Sequence, residues 1–577
     1  MAFRIATPVF TLQARLGAYQ PVVATALAQL RTGQIIRRIW DHDPTVWRPD
    51  PTEISDRLGW LHLPGGMAAA VDTLRAFADE IRAEGFRQVL LLGMGGSSLA
   101  PEVFARTFGP RANASTHGLP LEVLDSTHPD AVLAKATRFD PAHTLYVVAT
   151  KSGGTVETFA LFRYFYNLTA DRVGAEAVGR HFVAITDPGS GLAETARRYS
   201  FRRTFLNDPT IGGRYSALSY FGLAPAALVG VDLDLLLARA REAATACART
   251  DHNPAALLGA VMAELAGQGR DKLTLVLSPN LPGFDDWIEQ LIAESTGKEG
   301  KGILPVVGEG LGGPRHYGAD RVFVQIRLPG ESEHDAALAR LARAGHPVIR
   351  LELHDPYDLG GQFFLWEMAT AVVGHLLGIQ PFDQPNVESA KRLARQMVAA
   401  YRESGQLPSE PPLWDGGDIA VFGRSPAEGR RFRRAAALLK AFLQQAQPGD
   451  YVAVQAYIAP GPAADAALAL LRRRLQAYTR LATTVGYGPR FLHSTGQLHK
   501  GDAGRGLFLQ LTDTPQHDVP IPDEAGAAAS TLSFGTLIMA QALGDGEALR
   551  REGRRLLRFH FRGDTLAGIQ ALAAALT

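Results

Sequence analysis

A single carboxylate near the end of an amphipathic helix is the first candidate for chemistry in this sequence. Residues 286–305 read DWIEQLIAESTGKEGKGILP, and Glu294 falls in the last turn of the helix that this pattern predicts. The polar, glycine-containing segment ESTGK turns the chain away directly afterwards. A carboxylate held at such an elbow, at the edge of a cleft, can act as a general base.

Two loops that each follow an apolar run have the composition of an anion-binding site. One is GMGGSSLAPEVF (93–104), which offers Gly96 and Ser97, and the other is ATKSGGTVET (149–158). The second loop provides three hydroxyls and one ammonium group: Thr150, Lys151, Ser152 and Thr155. Backbone N–H groups, hydroxyls and a helix N-terminus suit a phosphate monoester. Neither loop has the residue order of a dinucleotide site or a nucleotide P-loop; the alternative is a tight strand-to-helix turn for the first and an N-capped loop for the second.

Two further segments place a cation beside a helix. Arg214 follows two glycines in IGGRYSALSYFG (211–222), where a guanidinium could stabilise a developing oxyanion; an ordinary surface arginine is the alternative. Lys391 in FDQPNVESAK (382–391) lies at the edge of an apolar helical stripe. A lysine there either extends its amine to solvent or serves a site.

A pair of histidines flanks a polar turn near the C-terminus. His493 and His499 lie in RFLHSTGQLHKG (490–501), without an acidic or cysteine partner at metal-ligand spacing. We therefore predict that one of them acts as an acid or base and that there is no metal site. A structural hydrogen bond is the alternative.

These segments alternate with buried strands. Continuous apolar runs followed by polar turns and helix-period segments predict parallel sheets covered by helices. The runs are QVLLLG, LEVLD, LYVVAT and HFVAIT up to about residue 230, then KLTLVLS, RVFVQIRL and PVIRLEL, then YVAVQAYI, LFLQLT and RRLLRFHF. The Pro- and Gly-rich stretch 404–418 predicts a boundary. GADRVFVQIRLPG (318–330) resembles AGRGLFLQLTDTP (503–515), which indicates either a distant duplication or merely similar strand ends.

The composition excludes several classes of protein. The chain of 577 residues has 59 basic and 58 acidic residues, so nothing points to nucleic acid or a membrane surface as a partner. Cys247 is the only cysteine, which excludes an intrachain disulfide and fits a reducing cytoplasm. We see neither a signal peptide nor an apolar run long enough for a membrane span.

Taken together, the motifs resemble phosphoglucose isomerase, in the family's order and over roughly residues 70–395. The resemblance implies that Glu294 is the catalytic base and that Arg214 belongs to the GGRYS signature. It assigns Gln384 and Lys391 to the second signature. It also implies that the two hydroxyl-rich loops bind the substrate phosphate, through Gly96, Ser97, Thr150, Lys151, Ser152 and Thr155.

The chain departs from the family pattern in three places. Asn386 stands where the second signature has Gly or Ala, and Tyr220 replaces a small residue in the first. The family's ring-opening histidine is expected in a GQ-containing segment between base and lysine, and no such segment lies there. The best match is HSTGQLH, so we predict that His493, with His499 as the second choice, comes from the C-terminal region. This arrangement resembles the isomerase portion of transaldolase–phosphoglucose isomerase fusions.

The resemblance implies an α/β fold with two doubly wound sugar-isomerase (SIS-like) lobes and a C-terminal α/β extension. We predict an N-terminal helical or irregular segment (1–66), a first lobe (67–230), a second lobe (231–403) and the extension (404–577). The implied reaction interconverts D-glucose 6-phosphate and D-fructose 6-phosphate through a cis-enediolate, without metal or organic cofactor. A homodimer is implied too, although the C-terminal segment could replace what a partner would contribute.

Three alternatives remain open at this point. A dual phosphoglucose/phosphomannose isomerase would share the base and the phosphate loops. A non-catalytic sugar-phosphate-binding protein would not need Glu294, Arg214 and Lys391 together. A non-catalytic partner subunit of a transaldolase would be revealed by co-purification.

Overall fold

Three α/β units, each built on its own sheet, make up the computed structural model, which describes residues 3–110, 117–426 and 432–576. We call them the first, second and third lobe in chain order. An N-terminal region precedes them. Its elements are β1 (Phe3–Ala6), β2 (Phe10–Arg15), α1 (Gln20–Thr32), α2 (Ile35–Trp40), α3 (Leu63–Gly66) and α4 (Val71–Ala83).

The first lobe is a five-stranded, all-parallel sheet in the order β4-β3-β5-β6-β7. Its strands are β3 (Gln88–Gly93), β4 (Leu121–Leu124), β5 (Thr144–Ala149), β6 (Phe182–Thr186) and β7 (Arg203–Leu206). Its helices are α5 (Leu99–Phe108), α6 (Pro129–Arg138), α7 (Val156–Val173), α8 (Gly191–Arg198) and α9 (Tyr220–Val229). The central strands are buried on both faces, as their continuous apolar sequences predict.

The second lobe is a six-stranded sheet in the order β1-β2-β11-β10-β8-β9. Its elements after the first lobe are α10 (Leu233–Cys247), α11 (Pro254–Gly267), β8 (Lys272–Leu277), α12 (Phe284–Thr296), β9 (Leu304–Val306), β10 (Arg321–Arg327), α13 (Asp335–Arg343), β11 (Val348–Leu353), α14 (Leu359–Leu377) and α15 (Pro385–Ser404). The four strands β8–β11 are parallel, and β2 pairs antiparallel with β11. The N-terminal hairpin, which the sequence did not predict, therefore extends this sheet.

The third lobe is another six-stranded sheet, in the order β12-β13-β19-β16-β14-β15, and a two-stranded ribbon lies beside it. Its strands are β12 (Trp414–Asp415), β13 (Ile419–Gly423), β14 (Tyr451–Tyr457), β15 (Ala482–Tyr487), β16 (Gly506–Asp513), β17 (Pro520–Ile521), β18 (Leu532–Ser533) and β19 (Arg555–Phe561). Its helices are α16 (Ala435–Leu443), α17 (Pro462–Thr479), α18 (Gly496–Gly501), α19 (Phe534–Arg551) and α20 (Thr565–Ala574). The long helix α19 packs against α15 of the second lobe.

The second and third lobes share one topology. In each, an antiparallel hairpin pairs antiparallel with the last long strand, which is the first of four parallel strands arranged in the same order. The two similar sequences noted above form β10 and β16, which occupy the same place in their sheets. The predicted fold class, doubly wound parallel lobes with a C-terminal α/β extension, is confirmed, and the extension is a topological repeat of the second lobe.

None of the helices in residues 3–110, 117–426 and 432–576 has both the length and the apolar character that a bilayer span requires.

Candidate active site

Three short turns and the end of α12 converge where the lobes meet. The turns are 3₁₀-helical: Gly95–Ser97 and Gly213–Tyr215 from the first lobe, and Arg490–His493 from the third. A Cβ on Gly96 would lie 2.0 Å from the Gly213 carbonyl oxygen. Gly95 has a φ of +54°, and a Cβ there would lie 2.8 Å from the His493 carbonyl oxygen. Glycine is required at both positions because other backbone lies so close.

The Arg214 guanidinium is buried, with 3% of the side chain exposed, and is fixed by four hydrogen bonds. Its Nε donates to Ser295 Oγ at 2.8 Å and its Nη1 to Gln384 Oε1 at 2.9 Å. Its Nη2 donates to the carbonyl oxygens of Pro381 at 2.6 Å and Asp383 at 3.0 Å. The cation is therefore held rigidly between the first and second lobes.

The carboxylate of Glu294 lies beside this arginine. Its Oε1 is 3.4 Å from Arg214 Nη1, and its Oε2 accepts a hydrogen bond from Gln290 Nε2 at 3.0 Å. Gln290 lies one helical turn earlier on α12 and also donates to the His493 carbonyl oxygen at 2.8 Å. One amide group thus connects the candidate base with the third-lobe turn.

The imidazole of His493 reaches across to the first lobe. Its Nε2 is 3.1 Å from Oε1 of Glu157, at the start of α7, and Gln541 of α19 donates to the same oxygen at 2.7 Å. Burial favours the neutral acid, but the interaction and hydrogen bond with His493, with a smaller contribution from Lys391, outweigh it and lower the pKa of Glu157. Among the described residues, none forms a hydrogen bond with Nδ1 of His493, so that nitrogen is available to a ligand.

Lys391 projects from the second turn of α15. Its Nζ donates to Glu388 Oε1 at 2.8 Å, and 41% of the side chain is exposed. Its charge makes a small contribution to the lowered pKa of Glu157. The helix that carries Lys391 packs against α18, which begins three residues after His493.

The predicted phosphate loops lie at the carboxyl ends of β3 and β5, which are adjacent strands. The Thr150 and Thr155 hydroxyls are 2.7 Å apart, and Ser97 is buried. The ammonium of Lys151 bonds to the Asp187 carboxylate and, at 2.9 Å, to the Pro209 carbonyl oxygen. Lys151 is therefore at the loop but already paired.

His499 is not brought to the site. It points into the third lobe, where Tyr451, Phe491 and Phe508 surround its ring. It is 3% exposed, its nearest polar contact is Gln455 at 3.4 Å, and burial lowers its pKa well below the ordinary value. Because α18 turns the ring inward, we do not propose His499 as a substrate-binding residue.

Comparison with known proteins decides the family. The family model for phosphoglucose isomerase matches residues 67–303. A glucose-6-phosphate isomerase from Thermosynechococcus vestitus is 30% identical over 469 residues, which cover 71% of this chain and 84% of that protein. The chain belongs to the phosphoglucose isomerase family.

A second relative and two solved structures are similar to this chain over most of their own length. A glucose-6-phosphate isomerase from Rubrobacter xylanophilus is 29% identical and aligns over 65% of this chain and 98% of its own length. The crystal structure of a glucose-6-phosphate isomerase from Chlamydia trachomatis superposes with a TM-score of 0.58 at 19% identity, covering 69% of this chain and 90% of that one. A hypothetical protein from Thermus thermophilus, TT0462, gives 0.57 at 25% identity and covers 69% and 100%.

The departure from the phosphoglucose isomerase signature at Asn386 has a structural counterpart in the third lobe. The Asn386 Oδ1 accepts from Gln497 Nε2 at 2.7 Å, and the Asn386 N–H donates to Gln497 Oε1 at 2.9 Å. Gln497 also donates to the Gly297 carbonyl oxygen at 2.9 Å. Asn386 therefore joins the start of α15 to the HSTGQ segment that carries His493.

Two site residues were missed in the sequence although both lie inside the quoted motifs. Gln290 precedes Glu294 by four residues, so the two share a helix face. Glu157 follows Thr155 by two residues in ATKSGGTVET. The signal for Gln290 is a polar side chain on the same helix face as Glu294. The signal for Glu157 is a polar side chain in the first turn of the helix that follows the phosphate loop.

Within residues 3–110, 117–426 and 432–576, no group of three or more His, Cys, Asp or Glu side chains is arranged to hold an ion.

Proposed function

We propose that this protein interconverts D-glucose 6-phosphate and D-fructose 6-phosphate by proton transfer through a cis-enediolate. The observation that carries the proposal is the Glu294 carboxylate, 3.4 Å from a buried, four-fold hydrogen-bonded Arg214. An aldose–ketose isomerase needs such a base beside a fixed cation, since negative charge develops on oxygen as the carbon proton leaves. Membership of the phosphoglucose isomerase family supports the same reaction.

Glu294 takes the proton from C2 of the open-chain aldose and returns it to C1 of the enediolate. Arg214 presents its charge and its remaining Nη1 N–H to the developing oxyanion. Because its other donors are tied to Ser295, Gln384 and two carbonyl groups, Arg214 needs little reorganisation as the charge forms.

His493 and Lys391 act on the ring. Glu157 fixes Nε2 of His493, which leaves Nδ1 to exchange a proton with the ring oxygen or the C1 hydroxyl. Lys391 stabilises the alkoxide that forms as the ring opens. We assign the phosphate to the loops at the carboxyl ends of β3 and β5, through Gly96, Ser97, Thr150, Lys151, Ser152 and Thr155, where Lys151 shares its charge between phosphate and Asp187.

The deciding experiment is a coupled assay of fructose 6-phosphate conversion to glucose 6-phosphate, run beside mannose 6-phosphate. We expect turnover of the first pair and little of mannose 6-phosphate. Equal rates on both would replace the assignment with a dual phosphoglucose/phosphomannose isomerase. Tight binding of fructose 6-phosphate without turnover would replace it with a sugar-phosphate-binding protein.

We also propose the domain division, the cellular location and the oligomeric state that the sequence predicts. The division at residues 67, 231 and 404 is supported by α9 ending at Val229 and α15 at Ser404, with the N-terminal hairpin reassigned to the second lobe. A cytoplasmic location is supported by the single, buried Cys247. A homodimer is supported by the family resemblance alone, and His493 of the same chain makes a partner's contribution to this site unnecessary.

A further inference from the structure

The turn that carries His493 is held by an arginine that none of the mechanistic assignments uses. Arg490 lies three residues before His493, and 24% of its side chain is exposed. Its Nη2 is 2.6 Å from Glu102 of α5 and 3.5 Å from Asp286 of α12. Its Nη1 is 2.9 Å from Asp125, which follows β4. A third-lobe cation is thus bound by carboxylates of both other lobes.

Removing Arg490 would take away the main positive charge beside these three carboxylates. Burial raises the pKa of Asp125 and of Asp286, which shows how poorly solvated these acids are. Asp125, Glu102 and Asp286 in turn hold the pKa of Arg490 well above its ordinary value, although burial opposes the charge. Without the guanidinium, three acids from two lobes would face one another with Arg106, 3.8 Å from Glu102, offsetting only part of their charge, and the third-lobe turn would lose its attraction to them.

The geometry of the turn transmits this fixation to the imidazole. Residues Arg490–His493 form a single 3₁₀ turn, in which side chains three residues apart lie on the same face. The forked guanidinium bonds both lobes, so it restrains the rotation of the turn as well as its position. Two weaker contacts complete the fixation: Gln290 donates to the His493 carbonyl oxygen, and Ser494 Oγ donates to Glu289 at 3.4 Å.

The chain contains its own comparison, because the second lobe has a similar turn at the equivalent connection. The sequence Gly-Pro-Arg occurs at 488–490, between β15 and β16, and again at 313–315, between β9 and β10. Both arginines lie in a 3₁₀ turn. Arg315 is exposed, and within the described part of the chain no salt bridge involves it. Of these two Gly-Pro-Arg turns in the described residues, only the third-lobe turn has carboxylates around its arginine.

From these observations we propose that Arg490 is a positioning residue that fixes His493 in the site by locking the third-lobe turn onto the first two lobes. This inference rests on the proposed function, since it concerns the histidine that opens the sugar ring. It adds a residue that acts through His493 and does not touch the substrate.

The test measures Arg490→Ala, Arg490→Lys, His493→Ala and the double variant Arg490→Ala/His493→Ala. Two activities are followed: turnover of cyclic glucose 6-phosphate, and exchange of the C2 proton of D-erythrose 4-phosphate with deuterated water. The second sugar cannot close a ring, because its ring-closing hydroxyl carries the phosphate. Arg315→Ala serves as the motif-matched control.

We expect Arg490→Ala to reduce kcat on glucose 6-phosphate about 10²-fold, the loss typical of a displaced catalytic group, with C2 exchange on the four-carbon sugar within a few-fold of wild type. Arg490→Lys should recover part of the loss, since an ammonium keeps the charge but not the fork. The double variant should lose no more than His493→Ala, because the two residues act as a unit. Arg315→Ala should match wild type.

A loss of stability without a positioning role would give a different result. Arg472→Ala controls for it, since Arg472 is a largely buried third-lobe arginine that donates to the Val307 carbonyl oxygen, away from the His493 turn. The proposal is overturned if the losses of Arg490→Ala and His493→Ala multiply, if both substrates are affected equally, or if Arg490→Ala behaves like Arg315→Ala or Arg472→Ala. Absence of isomerase activity in the wild type would instead overturn the proposed function, so the two failures are distinguishable.

Discussion

The second and third lobes share a strand order, yet they contribute different groups to the site. In the second lobe, α12 follows β8 and ends with the Glu294 carboxylate. In the third lobe, the equivalent helix α17 follows β14, and its last two turns, RRRLQAYT, contain no acid. The opposite holds for the connection that precedes β16 in the third lobe and β10 in the second. In the third lobe this connection places His493 in the candidate site, whereas in the second lobe its histidine, His316, is exposed.

This difference shows how one topology supplies two kinds of chemistry. A helix end and a connection between two strands are both held in place by the sheet. The second lobe uses the helix end, and the third lobe uses the connection. The proposed base and the proposed ring-opening acid therefore come from different lobes, and the first lobe contacts both, through Arg214 and Glu157.

Removing the second lobe's contribution is expected to have the largest effect. Glu294→Gln preserves the size of the side chain and its contact with Gln290 but removes the base. We expect kcat to fall at the upper end of roughly 10²–10⁴-fold, with substrate still bound. Steady-state kinetics and a binding titration with fructose 6-phosphate measure the two quantities. Glu299→Gln, an exposed carboxylate on the same segment, is the control. Near-wild-type turnover of Glu294→Gln would refute the role of the second lobe.

Removing the third lobe's contribution should cost less and be selective. His493→Ala is expected to lower turnover of cyclic glucose 6-phosphate about 10²-fold, because ring opening loses its acid, while proton exchange at C2 of D-erythrose 4-phosphate stays close to wild type. His316→Ala, in the second lobe's equivalent connection, should leave both rates unchanged. Equal losses on both sugars would argue against ring opening as the function of His493.

The second lobe's hold on Arg214 should be visible in the pH profile. Lys298 Nζ donates to the Asp383 carboxylate at 2.5 Å, beside the carbonyl groups that accept from Arg214. Burial, with a contribution from Arg214, lowers the pKa of Lys298 to about 8. The ammonium is charged below this pH and neutral above it, so the contact with Asp383 weakens as pH rises through about 8.

We therefore expect kcat/KM to decline several-fold with a midpoint near pH 8 in the wild type. Lys298→Arg, which stays charged throughout this range, should remove that decline. Lys298→Met should be low at every pH. An unchanged alkaline decline in Lys298→Arg would show that another group titrates.

The smallest effect is expected at the contact between α15 and the third lobe. Asn386→Gly restores a residue typical of the family signature and removes the side-chain bond to Gln497. We expect a loss of about 1 kcal/mol in the free energy of unfolding, measured by urea denaturation, and a few-fold loss of activity. Ser389→Gly on the same helix controls for the cost of glycine itself. Equal destabilisation by both variants would show that the Asn386–Gln497 contact contributes nothing.

Much of the fold could be predicted because the long central strands are continuous apolar runs. The elements that were missed are short or sit at a sheet edge. Strand β9 has three residues and β7 has four, while the β1–β2 hairpin joins its sheet only because β2 pairs with β11, some 340 positions later in the chain. Local sequence carries little signal for pairing over such a distance.

The candidate site could be predicted where a motif fixes local structure, as around Glu294, Arg214 and Gln384. In the structure, Arg214 pairs with Glu294 and donates a hydrogen bond to Gln384. The site was not predictable where side-chain direction depends on tertiary packing. His493 and His499 are six residues apart, yet one faces the site and the other an aromatic pocket. The partner of Lys151, Asp187, likewise follows from the neighbouring strand β6 and not from the loop itself.

The central claim is that Glu294 and His493 of one chain act in the same site. The most direct test co-expresses Glu294→Gln chains and His493→Ala chains that carry different tags. Species that hold both tags are purified if the chains associate, and the mixture of both chains is purified if they do not. If base and histidine come from one chain, every chain is defective, and glucose 6-phosphate turnover should not exceed that of the better single variant. If the histidine reaches the site from a second chain, some mixed species contain an intact site, and turnover well above both single variants would contradict the account.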